Sequence, residues 1–111
     1  MGWASRYIQK LTLGEEVEFR PHGNSMTPLI YSGDLVTVHP IADYDGIRIG
    51  DVVLCKVHGS EFLHKVNAIR GNPPQFQISN NRGHVNGWCP AKSVYGKVVR
   101  IHHGEIAPRT R

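Results

Sequence analysis

A serine nucleophile needs exposure on a loop, a base within hydrogen-bond reach and N–H donors for the developing oxyanion. Ser25, in Gly23-Asn24-Ser25-Met26, meets the first need, because the stretch from Pro21 to Thr27 carries no regular pattern. Gly23 lets a substrate backbone come close, and the N–H groups of Ser25 and Met26 could face an oxyanion. Taken alone, a serine in such a loop reads as a turn residue. Seven histidines and two cysteines raise the question of a metal. Cys55-x-x-His58 is the one close Cys/His pair. Its odd spacing on a strand sends the two side chains to opposite faces. The adjacent His102 and His103 split in the same way, and no second cluster with zinc spacing follows. The sequence therefore predicts no metal site and no cofactor.

The elements that must hold Ser25 in place read as short strands. At 111 residues the chain suits one domain with one modest core. Twelve Gly and seven Pro punctuate it with turns. Trp3, Tyr7, Ile8 and Leu11 fall at helical spacing, which predicts a short amphipathic helix within residues 1–14, ended by Gly14. From Glu15 the period changes to two. Val17 and Phe19 alternate with charged residues, as in a half-exposed strand. Pro28 to Tyr31 reads as one helical turn opened by Pro. Gly33-Asp34-Leu35-Val36-Thr37-Val38 and Gly50-Asp51-Val52-Val53-Leu54-Cys55 each read as a Gly-Asp turn followed by a buried strand. There the Asp is expected to bond its own downstream backbone. Further strands are expected over 61–69, 75–78 and 93–102, with a long polar loop over 80–90. The predicted fold is mainly β, an antiparallel domain of about six strands over 15–103 in a sandwich or barrel, with a mobile tail over 104–111.

The ordered set Gly23-Asn24-Ser25-Met26-Thr27-Pro28, Gly33-Asp34 and Ile49-Gly50-Asp51-Val52-Val53 resembles the nucleophile region of one serine-peptidase superfamily. LexA-type repressors, UmuD-like proteins and signal peptidases belong to it. Phe62-Leu63-His64-Lys65-Val66 resembles its base-bearing strand. Asn80-Asn81-Arg82-Gly83 and Val94-Tyr95-Gly96-Lys97-Val98 resemble the Asn-containing loop and closing strand of signal peptidases. The likeness spans about residues 16–102. It implies the LexA/signal-peptidase β fold, a nucleophilic Ser25, and a substrate that is a polypeptide or a protein partner.

The resemblance also places the base. Most of the family uses lysine. Here the alignment puts His64 at that position, as in signal peptidases of the eukaryotic and archaeal kind, and neutral histidine suits base catalysis near pH 7. Lys65 is the alternative. Neighbours on a strand point to opposite faces, so one of the two can face Ser25. Both faces (Phe62, His64, Val66 against Leu63, Lys65, Asn67) are mixed, and period two does not choose. Where signal peptidases offer an orienting Asp, this chain has no carboxylate, and Asn86 is the nearest equivalent, although Asn86-Gly87 also reads as a turn.

Other function classes draw little support. The net charge of +4 is scattered, so nucleic-acid binding is permitted but not indicated. Trp3, Trp88 and Tyr95 read as core or rim aromatics rather than a base-stacking platform. No apolar run is long enough to span a bilayer, and the N-terminus lacks a leader-like apolar segment. Cys55 and Cys89 are too few for a disulfide framework, which favours reduced thiols and a cytoplasmic location. Neither the helix-turn-helix of LexA nor the membrane anchor of signal peptidases is expected, and no small-residue–Gly cleavage bond precedes Ser25. The sequence thus predicts a Ser-His or Ser-Lys peptidase, or the same fold used as an inert binding module.

Overall fold

The computed structural model describes residues 2–104. The expected tail over 104–111 lies outside this range apart from Gly104. One helix, α1 (Ser5–Thr12), precedes seven strands among the described residues: β1 (Val17–Phe19), β2 (Leu35–Pro40), β3 (Val52–Val57), β4 (Ser60–Arg70), β5 (Gln75–Ser79), β6 (Val85–Pro90) and β7 (Val94–His102). They form one antiparallel sheet in the order β1-β2-β7-β3-β4-β5-β6. The mainly β class with a short N-terminal helix is therefore present, with one strand more than the sequence pattern gives. The addition is β6, which lies where a polar loop was expected. The expected helical turn at Pro28 is a non-helical turn.

β3 lies at the centre of the strand order, and its apolar run follows from burial on both faces. Val52 and Leu54 join a cluster with Leu11, Val17, Phe19, Val36, Val38 and Leu63, on the face that α1 covers. Val53, Cys55 and Val57 join the second cluster with Val66, Phe76, Ile78, Cys89 and Val94. The sheet curls so that β6 also packs near β3.

Trp88 on β6 lies under the Arg70 guanidinium, 4.0 Å from its ring centroid, so this aromatic is occupied by a cation.

α1 ends where Gly14 stands. The Gly14 N–H donates to the Leu11 carbonyl and the Glu15 N–H to the Lys10 carbonyl, at 3.0 Å each. This is the Schellman pattern that satisfies the last helical carbonyls. Burial of Leu11 against the sheet contributes about 2 kcal/mol. The helix comes this close because β7 carries Gly96 beneath it. A Cβ there would stand 2.5 Å from Val38 Cγ1 and 2.9 Å from Leu11 Cδ1.

The two Gly-Asp motifs build the same turn. The Asp34 N–H donates to the Tyr31 carbonyl, and the Asp51 N–H to that of Arg48. Gly33 and Gly50 take positive φ at the third position, as a type II turn requires. Each carboxylate reaches back to the N–H that opens its turn, Tyr31 or Arg48, at 2.8 Å. The Asp side chains thus bond upstream, not downstream as expected. Both turns release their chain directly into a buried strand.

Candidate active site

Ser25 lies on the connection between β1 and β2. Buried Met26 and Ile30 pin this connection to the first cluster. The Ile30 N–H donates to the Met26 carbonyl at 2.9 Å, and the Gly33 N–H closes the base of the loop on the Pro21 carbonyl at 2.9 Å. The neighbour of Ser25 is thus anchored in the core while the Ser25 side chain is left at the surface. The Ser25 and Met26 N–H groups make no main-chain hydrogen bond among the described residues.

His64 lies on β4 and is 9% exposed. Its Nε2 is 3.0 Å from the Ser25 hydroxyl, and its Nδ1 is 2.7 Å from Asn86 Oδ1. An amide oxygen only accepts, so this contact fixes the proton on Nδ1. Nε2 is then left as the acceptor facing Ser25. Phe62, two residues earlier on the same face, sets its ring 4.9 Å from that of His64 and limits its tilt. Burial pushes the His64 pKa below its ordinary value, the nearby His84 adds to this, and the Asn86 contact opposes it. The imidazole is held neutral, the form a base requires.

Asn86 reaches His64 through a local irregularity. Ile78 pairs with Gly87 and Ser79 with Val85, so Asn86 is an extra residue in β6. A bulge of this kind turns one side chain out of the alternating pattern. The Asn86-Gly87 pair lies within a strand, so the turn that the dipeptide spells is not formed.

Lys65, the alternative base, points elsewhere. Its Nζ donates to Asn81 Oδ1 at 3.2 Å. Asn81 in turn donates from its N–H to the Ser25 carbonyl at 2.8 Å and from its amide to the Thr27 carbonyl at 3.2 Å. Arg82 Nη2 reaches the Thr27 hydroxyl at 3.1 Å. Lys65 and Asn81 therefore brace the Ser25 loop from behind. The bracing role of Asn81 had no signal of its own, because it depends on a contact across 56 positions of chain between Ser25 and Asn81.

A cavity of about 460 Å³ opens beside the pair, lined by Ser25 and His64 together with Trp3, Tyr7, Phe19, Gly23 and other residues. No group of three or more His, Cys, Asp or Glu side chains among the described residues could hold a metal ion. No described helix is long and apolar enough to cross a membrane. Comparison with known protein families, with curated proteins and with solved structures finds no match.

Proposed function

We propose that this chain is a serine peptidase of the LexA/signal-peptidase kind, with Ser25 as nucleophile, His64 as base and Asn86 as the group that orients His64. The observation that carries the reading is the continuous hydrogen-bonded line Ser25–His64–Asn86, at 3.0 and 2.7 Å. Its three members come from three separate parts of the chain, and the arrangement is the one a nucleophile, a base and an orienting group require.

Ser25 Oγ attacks the scissile carbonyl while His64 Nε2 takes the hydroxyl proton. The oxyanion forms next to the Ser25 and Met26 N–H groups, with Gly23 leaving room for the substrate backbone. His64 then returns the proton to the leaving amine, and the acyl-enzyme remains on Ser25. Water, activated by the same imidazole, releases the acid and restores Ser25. The main chain of the substrate has a place to lie. β4 pairs with β3 over Ser60–Lys65 but with β5 only over Lys65–Arg70, so no strand pairs with the outer side of its first half among the described residues, where the Glu61 carbonyl accepts from Trp3 Nε1. An extended peptide adds to such an edge through main-chain hydrogen bonds.

A second reading, a catalytically weak module that binds a protein, draws on one observation. The group behind His64 is a neutral amide, which orients the ring but does not stabilise imidazolium as a carboxylate does.

Reaction with a fluorophosphonate probe and turnover of a peptide panel separate the two. The peptidase reading expects labelling and turnover that vanish in Ser25→Ala and fall about 100-fold or more in His64→Ala. Absent labelling and turnover in the folded wild-type protein, or labelling retained in Ser25→Ala, would overturn it.

A further inference from the structure

Resting on that peptidase reading, we infer that the cavity beside Ser25 is a specificity pocket for a large apolar side chain next to the scissile bond, and that α1, with Trp3 just before it, supplies its outer wall. The floor is apolar: Phe19, Met26 and Ile30 line it and are each 6% exposed or less. The wall is aromatic. Tyr7 stacks on Phe19 with ring centroids 4.3 Å apart, and Trp3 meets Phe19 edge-on at 5.7 Å. Trp3 is 51% exposed, which puts it at the rim where an entering side chain would cover it.

The permanently charged residues of the lining are committed to other partners. Glu61 accepts from the Ala4 N–H at 2.6 Å and from the Ser5 hydroxyl at 3.1 Å. Arg20 donates to the Gly33 and Gly104 carbonyls. The cavity therefore offers an entering group apolar surface rather than a free charge. About 460 Å³ is also far more room than a methyl group fills, and falls in the range of sites that enclose a sizeable apolar group.

The wall is tied to the base. Glu61 stands on β4 three residues before His64, and besides its carboxylate contacts to α1 its carbonyl accepts from Trp3 Nε1 at 3.3 Å. One strand thus carries the base and fixes the helix that closes the pocket. Trp3 and Tyr7 are specificity residues on this account; they do not touch the reacting atoms.

The test uses two peptides, acetyl-Ala-Ala-Phe and acetyl-Ala-Ala-Ala. As amides they are titrated against Ser25→Ala protein, and as aldehydes against the wild type, both by calorimetry. The Phe amide is expected to bind at least about tenfold tighter than the Ala amide. Trp3→Ala, a change at a half-exposed position, is expected to cut that ratio at least about threefold, and Tyr7→Ala to cut it further, with circular dichroism verifying the fold. Equal affinity of the two amides, or tighter binding of the Ala amide, would overturn the pocket whatever the catalytic outcome. A ratio unchanged in both variants would overturn the role of α1. In the wild type the Phe aldehyde is expected to bind more tightly than the Phe amide, through a bond to Ser25. If the Phe preference holds but the aldehyde gains nothing, the pocket stands and the peptidase reading falls.

Discussion

His64 is the imidazole that faces Ser25, and its surroundings set the direction of a pH dependence. Burial, aided by His84, lowers its pKa from the ordinary value near 6.5, and the Asn86 contact only partly offsets this. A base of lowered pKa stays unprotonated further into the acid range. On the proposed peptidase reading, the acid limb of kcat/KM is therefore expected to have its midpoint below pH 6.5. Replacing Asn86 by Asp puts a carboxylate against Nδ1, which favours imidazolium, so the limb should move to higher pH. Asn86→Ala removes the orienting contact and the one interaction that raises the His64 pKa, so it should lower kcat about 10- to 100-fold and move the limb to lower pH, opposite to Asn86→Asp. Rate profiles from pH 4 to 9 on the three proteins check both; a limb that does not move in Asn86→Asp would mean that another group titrates. The motif containing Ser25 was legible in sequence. The choice of His64 over Lys65 was not legible from periodicity, because a strand with mixed faces does not announce which one meets Ser25. The structure separates the two by their partners, Ser25 for His64 and Asn81 for Lys65.

At the scale of elements, the apolar content of the strands over 61–69 and 93–102 made them legible despite bulges in β4 and β7, whereas polar β6 was not legible. β6 was hidden because its bulge adds Asn86 to the alternation and because Asn-Gly spells a turn. The same bulge delivers Asn86 to His64, so the feature that obscured the strand is the one that serves the site. The Gly-Asp turns were legible, and Asp34 shows what one of them contributes. Burial alone would raise its pKa, but the Tyr31 and Gly104 N–H groups and His103 outweigh that and hold it below the ordinary value. A carboxyl whose pKa is lower folded than unfolded binds fewer protons when folded. Its stabilisation is therefore present above the ordinary value near 3.8 and is lost as pH falls through the lowered one. Asp34→Asn should cost about 2 kcal/mol at pH 7, seen as a lower urea midpoint. It should also flatten the loss of stability between pH 4 and 2; an unchanged midpoint at pH 7 would show that the carboxylate is not the anchor of this turn. Gly96 makes a parallel case for α1. Gly96→Val forces a branched side chain against Val38, His39 and Leu11, and should cost about 3 kcal/mol. Hydrogen exchange in α1 should rise with it, and an α1 as protected as in the wild type would refute the close approach of helix and strand.

For the molecule as a whole, the two thiols report whether the site elements open together. Cys55 on central β3 and Cys89 on edge strand β6 are both buried and unpaired within the second core cluster. No sequence rule could have brought them together, since their contact depends on the curl of the sheet. The neighbouring Cys89 sulfur, together with burial, pushes the Cys55 thiol up, so it stays protonated and poorly reactive. Reaction with a thiol reagent then requires opening of the structure. If the sheet opens only as a unit, both thiols react at one slow rate, on the order of 1,000-fold or more below that of the unfolded chain, and they speed up equally in urea. If β6 peels away first, Cys89 reacts ahead of Cys55. Mass spectrometry of reagent-pulsed protein distinguishes the two courses, since only the second accumulates protein labelled on Cys89 in excess of Cys55. Concerted reaction is the expected outcome, because β6 is fastened along β5, packs near β3 and is covered at Trp88 by Arg70. The functional consequence follows directly: Asn86 rides on β6, so a strand that opens only with the whole sheet keeps the His64 ring oriented for as long as the protein is folded.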